Sequence, residues 1–191
     1  MYFRPKMYFR PKMLLSGLTL SVILIGMAMM INARPAGAWA ESQVPLDFLT
    51  GGGWIRRDSG AMANFGVGGG VKNGAWWGHL NYLDHGTGLH VQETSISAYI
   101  FVDTTVRDIC GRATTDQFGD VDFHVRAADN GEPGVNDVFI IRLGQNGAIV
   151  YTTEGDGNHT LGGSAPGGGN IQLHKGNNSN TAPATPPVCN I

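Results

Sequence analysis

Beyond residue 40 no stretch repeats apolar side chains at the three-and-four spacing of an amphipathic helix, which sets aside helical bundles and alternating α/β layers. Cysteine is scarce, with only Cys110 and Cys189. Neither sits in a Cys-x-x-Cys pair or beside a partner histidine in sequence, which argues against redox catalysis and zinc ligation. Gly-x-Ser-x-Gly and His-Glu-x-x-His are both absent, so serine-hydrolase and zincin chemistry lack their usual markers. The triple glycines at 51–53, 68–70 and 167–169 are followed by no Gly-Lys-Ser/Thr, and are not phosphate loops. No catalytic or cofactor-binding residue is assigned.

One long apolar run does exist, from Met13 to Ile31, behind a basic head of Arg4, Lys6, Arg10 and Lys12. The opening hexapeptide Met1 to Lys6 recurs at once as Met7 to Lys12. Ala38-Trp39-Ala40 places small residues where a signal peptidase inspects them, and polar Glu41-Ser42-Gln43 follows. The pattern predicts a cleavable signal peptide over 1–40 and a secreted or cell-surface protein. A retained anchor is the rival reading, because the run approaches bilayer length. No second apolar span follows, so no membrane partner is expected after cleavage. Residues 41–175 are expected to form a single β-domain, and 176–191 a Pro- and Asn-rich tail.

Charge narrows the partners. The chain carries 13 basic and 15 acidic residues for a net charge of −2. Arg4, Lys6, Arg10, Lys12 and Arg34 lie in the leader while every acid lies beyond it, so the mature domain is distinctly acidic. Such a surface repels nucleic acid. In an exported chain, Cys110 and Cys189 are expected to form a disulfide that pins the tail to the body of the domain. Closing so long a loop contributes about 4 kcal/mol in the chain-entropy model.

Glycine, 29 in all, punctuates short runs rich in Val, Ile, Phe, Tyr, Trp and Thr, the residues that suit a pleated surface. Strands are expected at 53–57, 61–67, 75–83, 89–102, 121–127, 137–143, 148–153 and 170–174, with weaker ones at 106–109 and 112–118. The segment 45–53 reads as a lead-in to the first strand. From Val121 to Ala127 the alternation is clean: Val121, Phe123 and Val125 on one face, Asp122, His124 and Arg126 on the other. Residues 84–88 and 144–147 read as hairpin connections. The expected fold is all-β, an antiparallel β-sandwich of about 8–10 short strands, with a closed β-barrel as the alternative.

The loop from Asp129 to Asp137 packs Asp129, Asn130, Glu132, Asn136 and Asp137 around two glycines. Calcium takes six to eight oxygens of these kinds from a flexible loop, which makes calcium the candidate cofactor. A turn in which the acids cap backbone amides is the competing reading. A weaker transition-metal candidate is His79, His85 and His90. His79 and His85 share a strand face, whereas even pairing puts His90 on the opposite one, so convergence requires a bulge. Trp76 and Trp77 must point to opposite faces, one toward the core and one toward a partner such as a sugar ring.

Four ordered stretches are similar to a family of secreted bacterial β-domains, the post-COAP domains. They are Thr50-Gly-Gly-Gly-Trp-Ile55, Gly78-His-Leu-Asn-Tyr-Leu-Asp-His85, Asp129-Asn-Gly-Glu-Pro-Gly-Val-Asn-Asp137 and Gly167-Gly-Gly-Asn-Ile-Gln-Leu-His174. Ala63-Asn64-Phe65-Gly66 fits as well. The resemblance implies an extracellular or cell-surface β-module and carries over no catalytic residues. The expected role is a non-catalytic binding or structural module with an extracellular protein or polysaccharide, or itself, as partner. A self-assembling matrix or filament subunit, and a metal-dependent or polysaccharide-active protein, are the alternatives.

Overall fold

The computed structural model describes residues 47–163, 165–177 and 181–191. The expected leader over 1–40 lies outside them. Nine strands form one antiparallel sheet: β1 (Asp47–Arg56), β2 (Met62–Lys72), β3 (Ala75–Asp84), β4 (His90–Phe101), β5 (Val106–Thr115), β6 (Gly119–Ala128), β7 (Val138–Gln145), β8 (Ala148–Thr152) and β9 (Gly169–Lys175). Their order is β8-β7-β6-β5-β4-β3-β2-β1-β9, a meander whose last strand returns beside the first. Two-residue turns with positive φ, Asn73-Gly74 and Asn146-Gly147, join β2 to β3 and β7 to β8. Their backbone twist matches that of the flanking strands.

Alternation gives the sheet an apolar face, and the sheet folds over to bury it. Phe65 of β2 stacks on Phe139 of β7 with centroids 3.9 Å apart, although four strands separate them in the sheet order. Leu49, Val67, Leu80, Tyr82, Ile109, Phe123, Ile141 and Ile171 complete the same interior, each 0 or 1% exposed. The two edge strands do not pair with each other, so the ladder is not closed into a barrel. Where β9 stops at Gly53, a short segment takes over: Leu161 bridges Ile55, and Thr160 bridges Val138. No helix among the described residues is long and apolar enough to cross a membrane.

β2 runs on to Lys72, five residues past the expected 67, and two further boundaries depart from expectation. β1 begins at Asp47, so the supposed lead-in is strand, and Val106–Thr115 is one continuous strand rather than two. Glycine disguised both. A Cβ at Gly53 would sit 2.2 Å from Gly168 O, and one at Gly111 would sit 2.0 Å from Ser95 O. At these points the backbones approach too closely for any side chain, so the residue that weakens strand propensity is the one the packing demands.

Candidate functional site

The acidic loop turns its chemistry toward its own sheet. Asp137 is fully buried. Its Oδ2 accepts the Ile171 N–H at 2.7 Å and its Oδ1 the Asn130 N–H at 2.8 Å. Asp129 Oδ2 accepts the Leu173 N–H at 2.8 Å, and its Oδ1 the Gly131 N–H at 3.1 Å. Asn130 Nδ2 donates to Asn136 O at 2.8 Å, and Asn170 Nδ2 donates to Glu132 Oε1 at 3.1 Å. β9 is an edge strand, and these carboxylates accept from N–H groups that a further strand would otherwise bind. Burial pushes the Asp137 carboxyl up, against the pull of the two amides it accepts.

The histidines of the first hairpin lie on one exposed face. β3 and β4 pair Leu83 with His90, an odd residue facing an even one, so His90 joins His79 and His85 on the outside without a bulge. That corrects the expected alternation. Each ring has its own business: His85 Nε2 is 2.6 Å from Asn64 Oδ1, His90 Nε2 is 3.3 Å from Asn81 Nδ2, and His79 lies over Gly68. Their neighbour Asp84 faces inward instead. It joins Arg57 and Tyr151, whose bonds to Asp84 Oδ2 measure 2.7 and 2.8 Å. Burial alone would raise Asp84, but the bonds from Tyr151, the Gly86 N–H and Arg57 hold it below its ordinary value. Tyr82, whose hydroxyl lies 2.6 Å from that of Tyr151, is pushed up to about 12, chiefly by burial.

A second Arg–Asp–Tyr network, absent from any motif, ties Arg107 to Asp47. Arg107 Nε donates to Asp47 Oδ1 at 3.1 Å and the Tyr99 hydroxyl donates to the same oxygen at 2.7 Å. Burial, then the Asp47 carboxylate, raises Tyr99.

Trp76 packs against the core, and Trp77 stands on the outer face, 5.9 Å from Phe48. Phe48 in turn stacks on His174 at 4.5 Å. Register arranges the outer face of β9, β1, β2 and β3 in rows. Phe48, Gly70 and Trp77 form one; Thr50, Gly68 and His79 the next. Then come Asn170, Gly52, Gly66 and Asn81 side by side, followed by Trp54, Asn64 and Leu83. None of these residues is itself charged, but the Arg56 guanidinium lies 5.8 Å over the Trp54 ring and Glu132 Oε1 accepts from Asn170 at the end of the trough. At Gly66 a Cβ would meet nothing within 4 Å, so Gly52 and Gly66 floor an open trough between amide ends. Its ridges, the Thr50 and Trp54 rows, are about 13 Å apart at 3.3 Å per residue.

The outer face of β4 to β7 is built differently. Cys110 of β5 and Cys189 form a disulfide with Cα atoms 5.3 Å apart. Around it the end of the tail crosses the strands. Val188 exchanges bonds with Ser97 (3.2 and 2.6 Å), Asn190 Nδ2 donates to Asp122 Oδ1 at 3.0 Å, and Ile191 fills the space above Gly144. Beside the tail stand charged pairs that remain partly exposed. Arg126 grips Asp108 through two bonds of 2.8 Å, and Arg142 pairs with Glu154. His124, the cross-strand neighbour of Cys110, places Nε2 3.1 Å from Asp108 Oδ2. Cys110, His124 and Cys189 bring ligand atoms within 4.8 Å of one another, the one such group of three His, Cys, Asp or Glu side chains among the described residues. The histidine that the sequence did not place beside either cysteine is supplied by strand register.

The molecule is thus an all-β protein on one nine-stranded antiparallel sheet, with a disulfide-held tail across half of its outside. No family model, no curated protein and no solved structure matches the chain.

Proposed function

We propose that the chain is an extracellular, non-catalytic module that binds a neutral polysaccharide along the outer face of β9, β1, β2 and β3. The observation that carries this reading is the open Gly52–Gly66 trough, bounded by Asn81 and Asn170 and flanked by Trp54 on one ridge. A sugar ring presents flat C–H faces and a rim of hydroxyls. Aromatic rings take the first, and amides, which both donate and accept, take the second. Three of the stretches similar to the post-COAP family supply β1, β3 and β9 of this face, and the fourth is the loop that caps β9.

The test is co-sedimentation of the folded domain with insoluble neutral polysaccharides, cellulose and chitin among them, and gel retardation by soluble glucans and mannans. Retention that falls at least tenfold on Trp54→Ala or Asn81→Ala supports the reading. No retention by any neutral polysaccharide, or retention indifferent to both changes, overturns it.

Self-assembly is a second reading, favoured by the unequal edges of the sheet. The carboxylates of Asp129 and Asp137 occupy the β9 edge, while β8, at the other edge, carries Ile149 half exposed. A filament grown by strand addition at β8 is expected to vanish on Ile149→Lys, as electron microscopy of concentrated protein would report.

A further inference from the structure

We propose that Cys110, Cys189 and His124 form a binding site for zinc(II) once the disulfide between the two cysteines is reduced. Their ligand atoms already lie within 4.8 Å of one another. Thiolate sulfur and imidazole nitrogen are the donors zinc prefers, and three protein ligands leave a fourth position for water. Both ring nitrogens of His124 are buried without a hydrogen-bond partner, and a metal would satisfy one of them. The other ring nitrogen stands 3.1 Å from Asp108 Oδ2, and Asp108 is itself fixed by Arg126 at 2.8 Å. A carboxylate within reach of one nitrogen of a metal-binding histidine is the recurrent outer-shell element of zinc sites, and Asp108 stands where it would supply it.

The site does not depend on the sulfur–sulfur bond to assemble. Cys110 and His124 are paired across β5 and β6 by backbone register. Cys189 is carried by a tail that has its own attachments, Val188 to Ser97 on one side and Asn190 to Asp122 on the other. Opening the bond therefore leaves both sulfurs near His124. The chemistry balances with a small dithiol as reductant. Its two thiols pass two electrons and two protons to the protein disulfide and close into a disulfide of their own. Zinc then displaces the two protons from Cys110 and Cys189 and binds the thiolates.

Cobalt(II) serves as a coloured probe for the zinc position. The folded, oxidised protein is reduced with a dithiol under argon, freed of reductant and titrated with cobalt, with circular dichroism recording the sheet before and after reduction. The expected result is one equivalent bound with thiolate-to-cobalt absorption, displaced by zinc, and no absorption from oxidised protein. Cys110→Ser and Cys189→Ser lose the band, and His124→Ala weakens binding at least tenfold while keeping the sheet. Four results overturn the proposal: no band from reduced protein, loss of the sheet on reduction, unchanged affinity in His124→Ala, or binding that persists in denaturing urea.

Discussion

One sheet presents two outer faces of opposite character. Across β4 to β7 the outside is ionic, with Arg126 on Asp108 and Arg142 on Glu154, and the chain lays its own tail across the strands beside these pairs. Across β9 to β3 the outside is aromatic, amide and glycine, and none of the described tail crosses the Gly52–Gly66 trough. The inner face beneath both is the same continuous apolar core. Core burial therefore does not explain the difference. The strapped half carries ion pairs and the tail, whereas the Gly66 floor of the other half has nothing above it. A face left uncovered by a chain that covers its other half is where a partner is to be sought.

The largest effect distinguishing the halves belongs to the strap. Cys189→Ser opens a link spanning 79 residues, and urea melts should show a loss of about 4 kcal/mol. A loss below about 1 kcal/mol would mean that the noncovalent contacts of the tail suffice on their own. Next is the acidic loop at the border of the uncovered half. Asp137→Asn turns an amide N–H₂ toward the backbone N–H of Ile171 or Asn130 and should cost about 2–3 kcal/mol. The loss should be the same in EDTA and in millimolar calcium. A loss confined to calcium-containing buffer would make the loop an ion site rather than an edge cap.

Stability should also bend with pH. Tyr82 is raised above its ordinary 10.0 to about 12, so its contribution is complete below the lower value and is lost as pH rises through the higher one. The size is on the order of 2 kcal/mol, and Tyr82→Phe should flatten the alkaline limb. Asp84, held below its ordinary value, acts in the opposite sense. Its contribution is present above the ordinary carboxylate value and is lost as pH falls from there through its lowered folded value. The smallest effect on stability is expected at Gly66→Gln, within about 0.5 kcal/mol, because the new side chain enters open space.

The all-β class was legible because alternation survives in individual strands: Val121, Phe123 and Val125 are buried as their spacing requires. The disulfide was legible from the count of two cysteines. What remained hidden depends on register between distant strands. Gly52 meets Asn170 only because β9 returns to pair with β1, and no local pattern announces a glycine trough of that origin. His124 reaches Cys110 by the pairing of β5 with β6, which spacing along the chain does not reveal. The acids of the 129–137 loop were conspicuous, but their partners, the Ile171 and Leu173 amides, belong to backbone that carries no sequence signal. Trp76 and Trp77 parted to opposite faces as adjacent strand residues must.

The most direct measurement is affinity electrophoresis of the wild-type domain and Gly66→Gln through gels containing soluble neutral glucans and mannans. The account predicts that at least one polysaccharide retards the wild type, and that Gly66→Gln, melting at the same temperature, runs as if the polysaccharide were absent. Equal retardation of the two proteins, or none of the wild type, would contradict the assignment of the uncovered face as a glycan-binding surface.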